Sequence, residues 1–255
     1  MSVFASSFPA GSLAWGASIF FLAGLVKGVT GMGLPTVAMG LLSTIVAPVV
    51  AAGLMLVPSF VTNVWQLLAG PGLAVLARRL RLMLAGIAVG TFAGAAILAR
   101  GPARGATMAL GGALILYAGS TLLARRPAVP VRSERWLSLI VGLATGVITG
   151  ATGVFVIPAV PYLQALNLDR DGLVQALGLS FTVSTVTLAA GLWWQGAFVA
   201  HDLGWSLLAV APALLGMRVG QTIRQRVSPA TFRRWFLILL MGLGVELVLR
   251  SLSAA

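Results

Sequence analysis

The chain has no cysteine, a single histidine and only five acidic residues among 255. The absence of cysteine excludes disulfides, thiol redox chemistry and cysteine metal sites. The histidine, His201, falls in a predicted loop, and no carboxylate lies at the centre of an apolar segment. Hydrolysis or acyl transfer needs a nucleophile with a base, or a metal with its ligands. We therefore predict that the protein is not an enzyme and needs no cofactor or metal.

Charge of either sign is scarce, at 9% of the residues, whereas 59% are hydrophobic. A soluble domain carries roughly 25% charged residues, and a chain this poor in charge does not cover its surface in water. Several apolar stretches approach or exceed the ~18 residues that indicate a transmembrane helix. The sequence predicts an all-α polytopic membrane protein surrounded by the lipid bilayer, with its first apolar segment retained in the mature chain.

The charges that are present are mostly positive and give a net charge of +12. In a soluble protein, such an excess of positive charge indicates a nucleic-acid partner. Here nearly all the arginines fall in predicted short loops, which is typical of positive-inside membrane topology. We predict no nucleic-acid partner. The loops expected in the cytoplasm carry Arg78, Arg79 and Arg81, then Arg125, Arg126, Arg132 and Arg135, and then Arg218 to Arg234.

Ten apolar segments form two sets of five, divided by a polar linker at 124–135. The first two segments of each set have about 14 residues and would span only ~21 Å as helices. Because the hydrocarbon core is ~30 Å thick, each short pair is predicted to form a re-entrant or broken helical hairpin. The segments are 13–27, 34–47, 49–69, 82–99 and 106–123, then 137–149, 154–166, 172–194, 205–217 and 232–249.

The two sets resemble each other in sequence. Three matches occur in the same order: GLVKGVTG (24–31) with GLATGVITG (142–150), PSFVTNVWQLLAG (58–70) with LSFTVSTVTLAAG (179–191), and glycines 90 and 94 with glycines 216 and 220. Ordered matches of this kind indicate an internal repeat. We predict three parts: a first membrane repeat at 1–123, a cytoplasmic linker at 124–135 and a second membrane repeat at 136–255.

Arginine placement orients the two repeats. It is consistent only if each half crosses the membrane an odd number of times, which inverts one repeat relative to the other and puts both termini outside. The loop with His201 and Asp202 has no Lys or Arg and is expected outside. Arg100 and Arg104 are discordant, because they fall in a loop that this topology also places outside.

Glycine-rich stretches interrupt both short pairs, at GVTGMG (28–33) and GVITGATG (146–153). Glycine tolerates positive φ and close approach of the backbone, and Pro35 and Pro158 follow within or near the first turn of the next segment, where a proline loses no helical hydrogen bond. Inverted repeats with discontinuous helices are the usual architecture of secondary transporters, which bind their substrate near the bilayer midplane. We expect the two interruptions to meet there.

Lys27, the only lysine, lies beside the first interruption. The second half-helix of each pair is expected to point its N-terminus at the crossing point, so its partial positive charge adds to that of the ammonium. A small oxyanion suits such a field, with hydroxyl and amide donors around it. The candidate substrate-binding residues are Lys27, Thr30, Gly31, Gly33, Asn63, Gln66, Thr149, Gly150, Thr152, Gly153, Ser180 and Ser184, with Ser59 at a repeat-related position.

Other interpretations of the same residues remain open. Glycines in membrane helices often serve only close packing, and Ser and Thr commonly bond back to their own helix backbone. The Lys27 side chain snorkels to the interface if its helix sits shallow. An anion channel and a structural membrane subunit are alternatives to a transporter.

The motifs KGVTGMGLP and LVPSFVTNVWQ, with the looser TGVITGATGVFVIP in the second half, resemble the sulfite exporter TauE/SafE family, also called the 4-toluene sulfonate uptake permease family. The resemblance covers essentially the whole chain. It implies a multi-pass transporter of small sulfur-containing anions such as sulfite or organosulfonates in the bacterial plasma (inner) membrane. We favour export, because a negative-inside membrane potential drives anions out of the cell. An anion channel or a permease for another small organic anion is the alternative. The oligomeric state stays open, a homodimer included.

Overall fold

A computed structural model describes residues 12–70, 72–123, 129–197, 200–224, 226 and 228–253. Every regular element of these residues is helical, which confirms the predicted all-α class. A three-residue 3-10 turn at Val131–Ser133 precedes the sixth helix. The α-helices are α1 Ser12–Thr30, α2 Leu34–Leu42, α3 Pro48–Leu68, α4 Leu73–Arg100, α5 Ala103–Leu123, α6 Glu134–Thr152, α7 Ala159–Ala165, α8 Arg170–Trp194, α9 Ala200–Leu208, α10 Val210–Arg224 and α11 Pro229–Ser253.

Within the described ranges, seven helical stretches are long and apolar enough to cross a bilayer. One of them joins α9 to α10, and the others belong to α3, α4, α5, α6, α8 and α11. Such stretches carry their backbone hydrogen bonds internally, as the hydrocarbon region requires. The protein is therefore a multi-pass membrane protein. The seven stretches are Pro48–Leu68, Leu73–Arg100, Ala103–Leu123, Glu134–Thr152, Arg170–Trp194, Leu203–Arg224 and Thr231–Ser253.

The short pairs differ in length from the prediction. Their first helices, α1 and α6, each have 19 residues, about 28 Å at 1.5 Å per residue, whereas α2 and α7 have nine and seven. The predicted interruptions began too early, because α1 continues through Gly28 and α6 through Gly150. We call residues 31–33 the first break and residues 153–158 the second break.

Glycines in the interrupted helices make close helix–helix contacts. A Cβ on Gly28 of α1 would collide with the Met217 carbonyl of α10, and a Cβ on Gly150 of α6 would collide with the Thr91 carbonyl of α4. Neither position has room for a side chain. Close packing is therefore the structural role of Gly28 and Gly150, and it explains why these glycines do not end their helices.

The same contacts correct the predicted register of the first match. In α1, Phe21 and Leu25 contact Gly216, and in α6, Leu143 and Val147 make the equivalent contacts with Gly90. Equivalent residues of α1 and α6 are therefore 143 − 21 = 122 positions apart in the sequence. The predicted alignment, which pairs Gly24 with Gly142, is therefore displaced by one helical turn. Gly142, Gly146 and Gly150 recur at every fourth residue, so the sequence slides by one turn without losing glycine matches.

Several charged residues lie in helices rather than in the predicted loops. Arg78, Arg79 and Arg81 belong to α4, and His201 and Asp202 open α9. Arg79 forms a bidentate ion pair with Glu134 at the start of α6, with Nε–Oε1 and Nη2–Oε2 distances of 2.6 and 2.9 Å. The starts of α4 and α6 therefore lie on one face of the protein. Residues 124–128 of the predicted linker lie outside the described part.

A proline shapes α3 at the level of the polar residues that follow it. Pro58 has no N–H, so the Leu54 carbonyl one turn earlier loses its helical donor. Ser206 of α9 supplies a substitute: its hydroxyl donates to the Leu54 carbonyl at 2.8 Å and accepts from the Val57 N–H at 3.1 Å. These hydrogen bonds join α3 to α9 one turn before Pro58.

The glycine contacts generate a test of the packing. Gly90→Ala would place a Cβ 2.5 Å from the Leu143 carbonyl, and we expect overpacking to lower the free energy of unfolding by about 1–3 kcal/mol. The thermal midpoint of the purified protein in detergent measures this. Gly112→Ala is the matched control, because a Cβ there meets nothing within 4 Å. A midpoint for Gly90→Ala equal to that of Gly112→Ala would contradict the packing.

Candidate functional site

Lys27 lies in the last turn of α1 with only 2% of its surface exposed. Its ammonium donates to Thr62 Oγ1 at 3.1 Å and to Asn63 Oδ1, both on α3. The snorkelling interpretation is wrong, because the side chain runs into the helix bundle and ends on another helix. No carboxylate among the described side chains lies within 4.0 Å of the ammonium. Thr62, which the sequence analysis missed, is the residue next to a predicted one.

Asn63 extends the contact to α8. Its Nδ2 donates to Thr185 Oγ1 at 3.2 Å, and the Thr185 hydroxyl donates to the Phe181 carbonyl at 2.7 Å. The Thr62 hydroxyl likewise donates to the Pro58 carbonyl at 2.7 Å. Because both hydroxyl protons go to backbone, both oxygens remain acceptors. The amide of Asn63 is thereby oriented, with its oxygen toward the ammonium. Sequence reasoning chose the neighbouring Ser184 and missed Thr185.

The first break is held by the backbone and by α3. Gly31 has a φ of +79°, which favours glycine, and its N–H donates to the Lys27 carbonyl at 2.8 Å. Gln66 Nε2 donates to the Gly31 carbonyl at 2.5 Å. The Thr30 hydroxyl lies 2.8 Å from both the Val26 and the Met32 carbonyls, so its hydrogen bonds stabilise the turn at the end of α1. Lys27, Gly31, Asn63 and Gln66 are thus brought together.

The second break repeats this local geometry. Gly153 has a φ of +70° and its N–H donates to the Thr149 carbonyl at 2.7 Å. The Thr152 hydroxyl donates to the Ile148 carbonyl at 2.6 Å and accepts from the Val154 N–H at 3.2 Å. Thr149 therefore occupies the position that Lys27 has in the first break.

Each break packs against side chains of neighbouring helices. The α-carbon of Gly153 lies against Met39 of α2, whose side chain occupies the space of a Cβ. Gly33, with a φ of +99°, faces Phe236 and Val26. No hydrogen bond among the described residues joins Thr149 or Thr152 to the Lys27 contacts. The Thr149 hydroxyl instead donates to the Val154 carbonyl at 3.2 Å.

The second half-helices start at different distances from the glycine that follows the first half-helix. Helix α2 starts at Leu34, directly after the first break, and Pro35 lies in its first turn. Helix α7 starts at Ala159, with Pro158 as its N-cap. Residues 154–157 separate its N-terminus from Gly153 and are buried without forming a helix. The contribution of the two helix N-termini to the field at Lys27 stays a prediction.

Three predicted serines lie buried along the crossing of α3 and α8. A Cβ on Gly178 of α8 would collide with the α3 backbone between Asn63 and Leu67, so the two helices cross closely there. Ser59 lies one turn before Asn63, and Ser180 and Ser184 follow Gly178 on α8. Within the described residues, these three hydroxyls have no hydrogen-bond partner. A buried hydroxyl without a partner costs about 1–3 kcal/mol, so these groups are suited to receive a polar ligand.

Arginines line cavities at the two ends of the bundle. A cavity of about 770 Å³ is lined by the first break at Thr30 and Gly31 and by four arginines: Arg170, Arg224, Arg233 and Arg234. A smaller cavity of about 230 Å³ is lined by Arg104 and Arg250. Sequence reasoning used Arg104 and the arginines from Arg218 to Arg234 for topology alone, because nothing in the sequence places residues 170 and 233 together.

The arrangement around Lys27 is chemically selective. Burying an ammonium among neutral acceptors carries a large desolvation cost, and an opposite charge offsets that cost. The site has one spare ammonium proton, unpartnered hydroxyls and no carboxylate on Lys27 among the described residues. It therefore favours a small anion over a cation or a neutral molecule.

Comparison with known families gives a match over most of the chain. The family described as "Sulfite exporter TauE/SafE" matches residues 16–247. Comparison with curated proteins and with solved structures gives no match. The matched range contains Lys27, both breaks and the crossing of α3 and α8. The chain therefore belongs to the sulfite exporter TauE/SafE family of membrane transporters.

Proposed function

We propose that the protein carries a small sulfur-containing oxyanion, such as sulfite or an organosulfonate, across the bacterial plasma (inner) membrane. The anion binds near the bilayer midplane, against the Lys27 ammonium and between two inverted repeats. The observation that carries this proposal is the burial of Lys27 with neutral partners only. The family description supports the class of substrate.

The contacts of Lys27 indicate how an anion is held. An ammonium has three protons, and two of them already meet Thr62 and Asn63. The third is available to an anion oxygen, and charge-assisted hydrogen bonds of this kind are roughly twice as strong as neutral ones. The buried hydroxyls of Ser59, Ser180 and Ser184 serve as neutral donors to the remaining oxygens.

Helix contacts support two repeats in which the interrupted helix of each repeat packs on a helix of the other repeat. Helix α1 packs on α10 and α6 on α4, α3 packs on α8, and α5 packs on α11. A twofold relation that exchanges α1 with α6, and α4 with α10, reproduces this pattern. Helices α5 and α11 meet through Gly111 and Gly244, each near the other's carbonyl.

Cavity linings support the inversion of the repeats. Arg104 at the start of α5 and Arg250 near the end of α11 line the same cavity. Thr121 near the end of α5 and Arg233 near the start of α11 line the other. The two helices thus run in opposite directions. Inverted repeats with broken helices are typical of secondary transporters.

Export suits the charge of the substrate. A negative-inside potential drives an anion outward by ~2.3 kcal/mol per charge per 100 mV. Proton-coupled transporters usually carry an ionisable group in the membrane interior. Glu246 is the one acidic residue of this chain away from a helix start, and its side chain is exposed. We therefore favour export driven by the potential, with no carboxylate relay.

The first test concerns Lys27. We expect Lys27→Met to weaken sulfite binding by about 1.5–3 kcal/mol, roughly 10- to 100-fold in Kd, and Lys27→Arg to weaken it less because the charge remains. Calorimetry on the purified protein measures both. Removing a buried charge relieves desolvation, so the thermal midpoint without ligand should be retained in Lys27→Met. Equal Kd values for wild type and Lys27→Met would contradict the assigned role.

The second test concerns orientation. The Arg79–Glu134 ion pair puts two arginine-rich helix starts on one face, which we expect to be cytoplasmic by the positive-inside rule. The chain has no cysteine, so single cysteines report cleanly. Arg132→Cys should react with an impermeant maleimide only in everted membrane vesicles. Labelling of Arg132→Cys in intact cells would place this face outside and contradict the expected topology.

The third test concerns the driving force. We expect sulfite efflux from proteoliposomes to follow a potassium–valinomycin potential, and to saturate with sulfite concentration as a carrier does. Liposomes without protein control for leak. Efflux that ignores the potential but requires an imposed proton or sodium gradient would exclude this mechanism, and unitary single-channel currents would indicate a channel instead.

A further inference from the structure

The largest polar cavity described above is lined by four cationic side chains. Arg170 opens α8, Arg224 ends α10, and Arg233 and Arg234 lie in the first turns of α11. Among the residues whose side chains are described, no carboxylate lines this cavity, and none forms an ion pair with any of the four arginines. Three helices therefore bring like charges into one space without compensating them.

Uncompensated arginines in a cavity attract anions. Arg170 and Arg224 line the same cavity, and an anion between two like charges offsets their mutual repulsion. The guanidinium group is planar and binds oxyanions in a bidentate manner. The Thr121 hydroxyl, which also lines the cavity, is buried without a hydrogen-bond partner among the described residues. The donors here thus match the same class of ligand as the Lys27 site.

The cavity is connected to Lys27 by the first break. Thr30 and Gly31 line the cavity, and the Gly31 N–H donates to the Lys27 carbonyl one helical turn earlier. The Gly31 carbonyl accepts a hydrogen bond from Gln66 Nε2. The first break therefore lines the cavity and is also hydrogen-bonded to the Lys27 backbone and to α3.

We propose that the four-arginine cavity is a second anion site, a capture site on the cytoplasmic face that binds the oxyanion before it passes the first break to Lys27. This inference rests on the proposed function. The cavity volume of about 770 Å³ is far larger than a small oxyanion, so binding there is weak and exchanges rapidly. Its effect is to raise the local anion concentration, as clefts lined by one sign of charge do.

The test compares two pairs of substitutions on the same face. Arg233→Gln with Arg234→Gln removes two charges from the cavity. Arg78→Gln with Arg81→Gln removes two exposed charges of α4, the helix whose start shares a face with α6, and neither lines the cavity. Uptake of radiolabelled sulfite into everted membrane vesicles presents the substrate to the cytoplasmic face.

The cavity pair should raise KM for sulfite at least about fivefold and reduce its dependence on ionic strength, with kcat close to that of wild type. The control pair should leave KM near the wild-type value. Equal KM shifts in both pairs, or a shift seen only in right-side-out vesicles, would overturn the capture site. Absence of sulfite uptake by the wild type would instead overturn the proposed function.

A second measurement needs no transport and distinguishes the anion from a lipid headgroup. In nanodiscs of zwitterionic lipid only, ethanesulfonate should slow modification of Arg233 and Arg234 by phenylglyoxal, and neutral dimethyl sulfone should not. Modification of Arg78 and Arg81 should be unaffected by either compound. Protection that occurs only when anionic lipid is added, with no effect of ethanesulfonate, would show a lipid site and contradict the inference.

Discussion

The buried ammonium of Lys27 is the constraint on which the rest of the structure depends. A charge at this depth needs several acceptors, and α3 provides two of them through Thr62 and Asn63. The orientation of Asn63 depends in turn on Thr185 of α8. Three helices are therefore tied at one point, and that point carries a positive charge in an apolar surrounding. An anion is the ligand that such a point stabilises best.

The packing of the helices around this point depends on glycines and on one proline. Glycines bring α1 against α10 and α6 against α4 closely enough that a Cβ would collide with the opposing backbone. Pro58 frees the Leu54 carbonyl, and Ser206 satisfies it from outside the helix. The glycine contacts and the Ser206 hydrogen bond position α1 and α3 so that their polar groups meet inside the bundle. Gly31 and Gly153, both with positive φ, then end the helices at the breaks.

Sequence reasoning identified the helical class, the glycine breaks, and the residues that meet at the first break, because composition and single exceptional residues carry those signals. It placed the first repeat match one turn off, since glycines at every fourth residue fit two registers equally well. It missed the arginine cavity, because Arg170 and Arg233 are joined only by tertiary packing. It used Arg104 only to judge topology, whereas Arg104 and Arg250 line one cavity, where Arg250 donates to the Thr44 carbonyl at 2.5 Å.

The most direct measurement is an experimental structure of the protein with selenite, a heavy analogue of sulfite whose selenium is located by anomalous scattering. The account predicts selenium beside Lys27, with a selenite oxygen within hydrogen-bonding distance of Nζ, about 2.7–2.9 Å for a charge-assisted bond. Selenium found only at the arginine-lined cavities, with the ammonium still held by Thr62 and Asn63 alone, would contradict Lys27 as the anion-binding centre.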